Sequence, residues 1–202
     1  FALIKKRSQK LVRETLTQTQ ADKAMFIIFM GVSGCGKTTI GKKTANKLGV
    51  RYYEGDEFHP LTNIEKMSQG IPLTDEDRED WLSQLSLLIQ TKLDAEESGV
   101  LSCSALKEIY RKRLCIDPDR VHFIYLKGSY DLIRSRLRDR TDHYMPAHLL
   151  ASQFEALEEP NDVFTVDINQ ATEAILDEVF AYLIEIGFAD KTSDRGASKP
   201  HP

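Results

Sequence analysis

The chain has 202 residues, of which 41% are hydrophobic and 29% charged, a composition that suits one α/β domain with its own core. Its formal net charge of −4 gives no general attraction to nucleic acid or anionic lipid, and no apolar run approaches the roughly 18 residues of a membrane span. Three cysteines without framework spacing favour a reducing compartment. We therefore expect a cytoplasmic protein with no nucleic-acid or membrane partner.

Residues 1–24 are predicted to be a peripheral extension or a tag. They hold six Lys/Arg and two Asp/Glu, a net charge of +4 that leaves −8 on the rest of the chain. Phe1–Ile4 is too short for the apolar core of a secretory signal. A basic and nearly acid-free segment is also typical of organellar presequences, and that alternative stays open.

Strands and helices alternate in residues 25–190, which are predicted to form the folded domain. Phe26–Met30 is apolar on both faces and predicts a buried central strand. Further strands are predicted at 50–54, 99–102, 121–126 and 163–166. Helices are predicted at 37–48, 81–92, 105–113, 130–138, 146–157 and 175–186. This alternation predicts a mostly parallel sheet covered by helices on both faces.

Two segments are predicted to lack regular structure. Residues 59–80 are polar and rich in turn formers. The acidic residues at 75–80 are expected to favour the positive end of the dipole of the following helix. Residues 191–202 are predicted to be a disordered tail.

The residues between the first strand and the first helix match a phosphate-binding loop. They read GVSGCGKT and fit the pattern G-x-x-x-x-G-K-[ST]. The glycines let backbone N–H groups point at an anion, and the helix that follows presents its positive dipole end. Lys37 is predicted to reach the outer phosphates, and the Thr38 hydroxyl to ligate Mg²⁺. The predicted ATP-binding residues are Gly31, Val32, Ser33, Gly34, Cys35, Gly36, Lys37, Thr38 and Thr39.

An acidic residue follows the second predicted strand. Asp56 lies at the carboxyl edge of the sheet, where ligands bind in such folds. Its carboxylate can accept a proton from an acceptor hydroxyl or help to hold Mg²⁺, although an aspartate after glycine is also a common turn residue. His59 follows three residues later and is open to a structural or a catalytic role.

A basic cluster follows the fourth strand. Phosphoryl transfer spreads negative charge over oxygen atoms that arginines on a mobile lid can stabilise. Arg136 and Arg140 are spaced i and i+4 and share one face if the helix continues. We therefore predict that these two are catalytic, together with Lys37 and Asp56, and that the lid spans about residues 136–148. The alternative for Arg134 and Arg138 is a solvated basic face.

Four long blocks resemble the gluconokinases, a family of small P-loop sugar-acid kinases related in fold to shikimate and adenylate kinases. The blocks are GVSGCGKTT, GDEFHPLTNIEKMSQGIPLTDEDREDWL, SCSALKEIYRKRL and FIYLKGSYDLIRSRLRDRTDHYMPAHLLASQFEALEEP. The resemblance spans residues 26–186. It implies a P-loop kinase fold of the α/β class, with three layers, a five-stranded parallel sheet in the order 2-3-1-4-5 and a small lid.

The resemblance also implies a reaction. It is the phosphorylation of D-gluconate by ATP, with Mg²⁺, at the terminal hydroxyl to give 6-phospho-D-gluconate. The substrate-binding residues that it implies are Asp56, His59, Lys66, Arg78, Lys107, Tyr110, Arg111 and His143. A carboxylate favours a bidentate arginine, for which Arg78 and Arg111 are the candidates. Lys66 and Lys107 are equally compatible with surface charges, and Trp81 is expected in the core rather than against the sugar.

The sequence leaves alternatives open. Cys35 stands where the family usually has Ser, and we hypothesise that its thiol is redox-sensitive because it lies near a helix N-terminus. Asp142-His143-Tyr144 replaces the usual Gly-His-Phe in the lid. Another small hydroxylated acid such as shikimate is the nearest alternative acceptor, and a non-catalytic nucleotide-binding regulator is a more distant one. A homodimer is compatible with the sequence.

Overall fold

The computed structural model describes residues 23–138 and 147–188. Five parallel strands form one sheet in the order β2-β3-β1-β4-β5, which confirms the predicted order. The strands are β1 (Phe26–Met30), β2 (Arg51–Glu54), β3 (Gly99–Ser102), β4 (Val121–Lys127) and β5 (Phe164–Asp167).

Seven α-helices lie in the described ranges. They are α1 (Lys37–Leu48), α2 (Leu61–Ser68), α3 (Glu79–Asp94), α4 (Glu108–Leu114), α5 (Tyr130–Arg138), α6 (Ala147–Ala156) and α7 (Thr172–Glu185). Short 3₁₀ turns at Gly55–Phe58 and Glu76–Arg78 follow β2 and precede α3. Of these described helices, none is sufficiently long and apolar to cross a lipid bilayer.

The central strand separates two layers of core. Ile27 and Phe29 face the layer that contains α1 and α7, whereas Phe26, Ile28 and Met30 face α3 and α4. All five side chains are 0% exposed. A strand buried on both faces reads as a continuous apolar run, which is why β1 is visible in the sequence.

The segment at 59–80 differs from the prediction of an irregular chain. It contains α2, which begins directly after Pro60 and whose last turn is followed by Gly70 with φ 73°. The apolar side chains of Leu61 and Ile64 on this helix are exposed, so the usual pattern of buried apolar residues does not reveal it.

The helix after β3 begins later than the predicted Ala105. Ala105 has φ 44° and is fully buried, so the backbone there is left-handed and cannot continue into a helix. Instead, α4 begins at Glu108. The predicted bounds of α1 and α5 are confirmed, and the strands agree within one residue at each end.

The carboxyl ends of the strands meet at one edge of the sheet. The N–H of Gly31 donates to the carbonyl of Ser104 at 3.2 Å, and that of Cys103 donates to the carbonyl of Phe29 at 3.1 Å. These bonds join β1 and the loop after it to the loop after β3. Most of the predicted lid at 136–148, the predicted extension at 1–24 and the tail at 191–202 lie outside the described residues.

Candidate active site

The loop after β1 has the backbone of a phosphate cradle. Gly31, Gly34 and Gly36 have φ values of 136°, 85° and 101°, which side-chain-bearing residues rarely adopt. A Cβ on Gly31 would lie 2.9 Å from the carbonyl oxygen of Leu126. Since α1 begins at Lys37, its unpaired N–H groups face this loop.

The lysine of the loop lies folded across it. Nζ of Lys37 donates to the carbonyl oxygens of Gly31 and Val32, both at 3.0 Å. An ammonium group has three donors, so two hold the side chain in place and one remains for an anion. This geometry suits the predicted role of Lys37 at the outer phosphates.

A glutamine far along the chain contacts the same loop. The N–H of Ser33 donates to Oε1 of Gln153 at 2.6 Å. Gln153 lies on α6, which begins at the end of the predicted lid. Sequence reasoning missed this residue because the two partners are 120 positions apart and no local pattern joins them.

The threonine predicted to ligate Mg²⁺ contacts a carboxylate that sequence reasoning also missed. Oγ1 of Thr38 donates to Oε2 of Glu54 at 2.8 Å. The hydroxyl of Tyr52 donates to the same oxygen at 2.6 Å. Burial, reinforced by the contact with Glu54, raises the pKa of Tyr52, so this phenol is a donor at neutral pH.

The cysteine of the loop packs into the core. Cys35 is 1% exposed and lies among the apolar side chains beneath the loop. A thiol reacts only where it is accessible. The hypothesis that Cys35 is redox-sensitive is therefore not supported by its position.

Asp56 projects from a tightly constrained turn. The carbonyl of Gly55 accepts a hydrogen bond from Nε1 of Trp81 at 2.7 Å, and a Cβ on Gly55 would lie 2.5 Å from the carbonyl oxygen of Ser102. The Asp56 side chain itself is exposed. The backbone that carries it is thus held against β3 and α3.

The charges of Asp56 and Lys37 both influence the pKa of the buried thiol of Cys103. Burial raises the pKa of Cys103 to about 12, with the Asp56 carboxylate adding to this effect and the Lys37 ammonium opposing it. Cys103 directly follows β3. Since Thr38 also bonds directly to Glu54, the phosphate loop and the turn after β2 lie on the same part of the sheet edge.

His59, one of the predicted substrate-binding residues, packs against Trp81. Their rings stack with centroids 4.3 Å apart at 15°, and Trp81 is 1% exposed, which confirms the prediction that it belongs to the core. Nδ2 of the buried Asn63 lies 3.4 Å from Nδ1 of His59. Burial, with Arg78 acting in the same direction and Asp56 opposing it, lowers the pKa of His59. The imidazole is therefore neutral at pH 7.

Four of the predicted substrate-binding residues, Lys66, Arg78, Lys107 and Tyr110, form a group that we call the acceptor cluster. Arg78 and Tyr110 lie on one side of it. Nη1 of Arg78 donates to the carbonyl oxygens of Leu73 at 2.6 Å and Thr74 at 3.0 Å. The guanidinium carbon lies 5.7 Å from the centroid of the Tyr110 ring. These contacts fix the position of Arg78, and within the described residues its Nη2 and Nε make no hydrogen bond.

Two aspartates of the acidic run before α3 pair with the predicted lysines. Nζ of Lys107 donates to both oxygens of Asp75, at 2.7 and 2.8 Å, and the hydroxyl of Tyr110 donates to Oδ1 of Asp75. Nζ of Lys66 lies 2.6 Å from Oδ1 of Asp77. The 3₁₀ turn at Glu76–Arg78 runs directly into α3, so both carboxylates lie near the N-terminal end of that helix and pair with lysines as well.

These pairs shift the titration of their members. The hydrogen bonds from Lys107 and then Tyr110 hold the pKa of Asp75 below its usual range, and burial followed by the contact with Asp75 raises the pKa of Tyr110 to about 12. These contacts therefore keep the Asp75 carboxylate ionised and the Tyr110 phenol protonated at neutral pH.

Arg111, the other candidate for the substrate carboxylate, lies apart from the acceptor cluster. It is 8% exposed, and its Nη1 donates to the carbonyl oxygens of Ala105 at 3.2 Å and Leu106 at 3.0 Å. It lines a cavity of about 520 Å³ beside the start of β4, which shares no other residue with the predicted acceptor set. The contacts of Arg111 therefore favour a role in holding the loop after β3, and they leave Arg78 as the better candidate for the substrate carboxylate.

Arg136 lies at the end of β5, beside the phosphate loop. Its Nη2 donates to the carbonyl oxygen of Ile168 at 2.6 Å. Arg134 and Arg138 are exposed, as the sequence interpretation expected. Arg140 and His143 lie outside the described residues.

A cavity of about 290 Å³ separates Arg136 from α1 and is lined by Gly34, Cys35, Gly36, Thr39, Ile40, Arg136, Thr172 and Ile175.

The parallel five-stranded sheet carries a phosphate loop after its central strand β1 and a carboxylate after the edge strand β2. Together with the basic cluster of Lys66, Arg78 and Lys107, this arrangement defines a P-loop kinase of small molecules. The family model for shikimate kinase matches residues 33–184. The chain belongs to this family and, by the relatives described next, to its gluconokinase members.

The similarity to known proteins extends over most of the chain. The thermosensitive gluconokinase of Escherichia coli K12 is 48% identical over 70% of this chain and 78% of its own length. A gluconokinase structure from Sinorhizobium meliloti 1021 is 38% identical, with a TM-score of 0.74 over 87% of this chain and 98% of that one. An unliganded sugar kinase from Janibacter sp. HTCC2649 has a TM-score of 0.76 at 39% identity, over 82% of this chain and 97% of that one. The prediction of a kinase is confirmed.

Proposed function

We propose that this protein transfers the γ-phosphoryl group of ATP to the terminal hydroxyl of D-gluconate and forms 6-phospho-D-gluconate. The observation that carries the proposal is a phosphate loop joined, by the bond from Thr38 to Glu54, to the turn that bears Asp56. The same chain also has a basic cluster made of Lys66, Arg78, Lys107 and Tyr110. The identity with gluconokinases supports the choice of acceptor.

The nucleotide would lie along the first turn of α1. The loop N–H groups and Lys37 bind the phosphates, and the cavity beside Thr39 and Arg136 receives the base. Its volume of about 290 Å³ is at the small end of ligand pockets, which suits one planar ring system. Arg136 therefore lies where it can contact either the base or the phosphates.

Thr38 and Glu54 fit a Mg²⁺ site. Both offer oxygen atoms, which are the ligands that Mg²⁺ prefers. Because Glu54 accepts the Thr38 proton, the lone pairs of the Thr38 hydroxyl remain for a cation. Mg²⁺ bound there supplies charge neutralisation at the phosphate oxygens.

The acceptor would lie between Asp56 and the cationic cluster. The Asp56 carboxylate accepts the proton of the terminal hydroxyl as that oxygen attacks the γ-phosphorus. Arg78 binds the substrate carboxylate, because a guanidinium fork matches a carboxylate in two hydrogen bonds. Asp75, Tyr110 and neutral His59 offer acceptors and donors for the chain of hydroxyl groups.

The lid contributions stay predictions. Arg140 and His143 would approach the phosphates and the substrate from the segment after α5, and Arg136 lies at the base of that segment. A cytoplasmic location and a homodimer likewise stay predictions.

The decisive experiment compares acceptors and variants. We expect ADP formation with gluconate but none above background with shikimate or AMP. Lys37→Ala and Asp56→Asn should each lose about 100-fold or more in kcat while remaining folded. Glu57→Gln, at the exposed next position of the same turn, is the matched control and should retain wild-type rates.

Each alternative predicts a different result. Turnover of shikimate in place of gluconate would make the protein a kinase of another hydroxylated acid. ATP binding without turnover of any acceptor would indicate a nucleotide-binding regulator. A wild-type rate in Asp56→Asn would remove its role as the base.

A further inference from the structure

One oxygen atom of Glu54 receives two hydrogen bonds. Oε2 accepts from Tyr52 at 2.6 Å and from Thr38 at 2.8 Å. Tyr52 and Glu54 are two positions apart on β2, so their side chains lie on the same face of the sheet. The phenol therefore links the end of β2 to the first turn of α1.

The Tyr52 ring is held in place from the other side by α1. A Cβ on Gly41 would lie 2.8 Å from Cε2 of Tyr52, so the ring packs directly on the helix backbone. Nζ of Lys42 lies 5.5 Å from the ring centroid. A ring packed in this way has little freedom, and its hydroxyl is fixed relative to the phosphate loop.

A glutamate at a strand end is otherwise a flexible side chain. Ordering it costs conformational entropy that a preformed hydrogen bond removes in advance. Because Tyr52 holds Oε2 beside Thr38, the carboxylate is already in place when a cation arrives. Within residues 23–138 and 147–188, Oε1 of Glu54 makes no hydrogen bond or ion pair, so it is left for a ligand.

We propose that Tyr52 is a positioning residue for the divalent cation of the phosphate site, acting through Glu54 on Thr38. The proposal rests on the proposed function only in that the loop binds a metal–nucleotide complex. It does not depend on which acceptor is phosphorylated. Tyr52 lies outside the phosphate-loop motif, so this role of its phenolic oxygen is additional to the roles of the motif residues.

The test is Mn²⁺ binding to the full chain in the presence of saturating ADP, measured by electron paramagnetic resonance of the unbound ion. Tyr52→Phe removes one oxygen and keeps the ring that packs on α1. We expect its Kd for Mn²⁺ to rise about tenfold, as for the loss of a hydrogen bond to a charged group. Tyr53→Phe removes the same atom from the next residue of β2, which faces the other core layer, and should leave the Kd unchanged.

A double-mutant cycle separates positioning from general damage. Glu54→Gln alone should weaken Mn²⁺ binding, and adding Tyr52→Phe to it should have little further effect, because Tyr52 acts through the carboxylate. In kinetic assays Tyr52→Phe should raise the apparent KM for Mg²⁺ while kcat at saturating Mg²⁺ stays within about twofold of wild type.

Three results would overturn the proposal. They are an unchanged Kd for Mn²⁺ in Tyr52→Phe, equal shifts in Tyr52→Phe and Tyr53→Phe, and additive effects of Tyr52→Phe and Glu54→Gln. A wild-type protein that binds Mn²⁺–ADP but does not phosphorylate gluconate would count against the proposed acceptor and leave this test unaffected.

Discussion

Substitution of Gly55 by alanine tests how closely the position of Asp56 controls the reaction. A Cβ on Gly55 would lie 2.5 Å from the carbonyl oxygen of Ser102, about 0.8 Å inside the usual carbon–oxygen contact of roughly 3.3 Å. Ser102 is the last residue of β3, so this carbonyl cannot rotate away. The turn that carries Asp56 must therefore move.

The expected magnitude follows from this overlap. Overpacking against a rigid backbone costs about 1–3 kcal/mol of the free energy of unfolding. The shift also strains the 2.7 Å bond from Trp81 to the Gly55 carbonyl. Displacing a catalytic group by about 1 Å can reduce kcat about 100-fold, and we expect a loss of that order in Gly55→Ala.

The assay combines urea unfolding, which measures stability, with the rate of ADP formation when gluconate is the acceptor. Gly49→Ala is the matched control, because Gly49 has φ 66° and its Cβ would meet nothing within 4 Å. It should lose about 1 kcal/mol of stability through backbone strain and retain wild-type kcat. A folded Gly55→Ala variant with wild-type kcat would refute the reasoning that the close approach to β3 positions the base.

Asp75→Asn should raise the KM for gluconate about tenfold and leave the KM for ATP within about twofold, because the carboxylate pairs with Lys107 and Tyr110 of the acceptor cluster; an unchanged KM for gluconate would contradict this. Gln153→Leu should lower the Tm by about 2–4 °C through loss of the bond to a phosphate-loop N–H, and Gln153→Glu, which keeps an acceptor oxygen, should not. Burial lowers the pKa of both His59 and His122. The unfolded chain therefore takes up protons first as pH falls, so stability should be full above about pH 6.5 and decline below it. Urea midpoints between pH 7.5 and 5.5 measure this decline, and equal midpoints at both ends would contradict it.

The features that local rules control were predictable. β1 is visible because a strand buried on both faces is apolar throughout, and α1 because glycines precede it and Gly49 ends it. The phosphate loop follows from spacing alone. The strand order, in contrast, came from the resemblance to known kinases, because the alternation of strands and helices does not by itself determine which strands are neighbours.

The features that depend on distant contacts were not predictable. Asp75 and Asp77 lie in an acidic run that suits a helix start, and only the fold brings Lys107 and Lys66 to them. Arg78 and Arg111 are both plausible partners for a carboxylate in the sequence. They differ in the direction of the side chain, since Arg111 donates to carbonyls of the loop that precedes its helix.

The most direct test of the central claim is a crystal structure of the protein with D-gluconate and a non-hydrolysable ATP analogue. We expect the terminal hydroxyl of gluconate within about 3 Å of the Asp56 carboxylate and in line with the γ-phosphate, with the gluconate carboxylate on Arg78. A complex in which Asp56 points away from that hydroxyl, or in which the gluconate carboxylate faces the phosphate loop, would contradict the proposed mechanism.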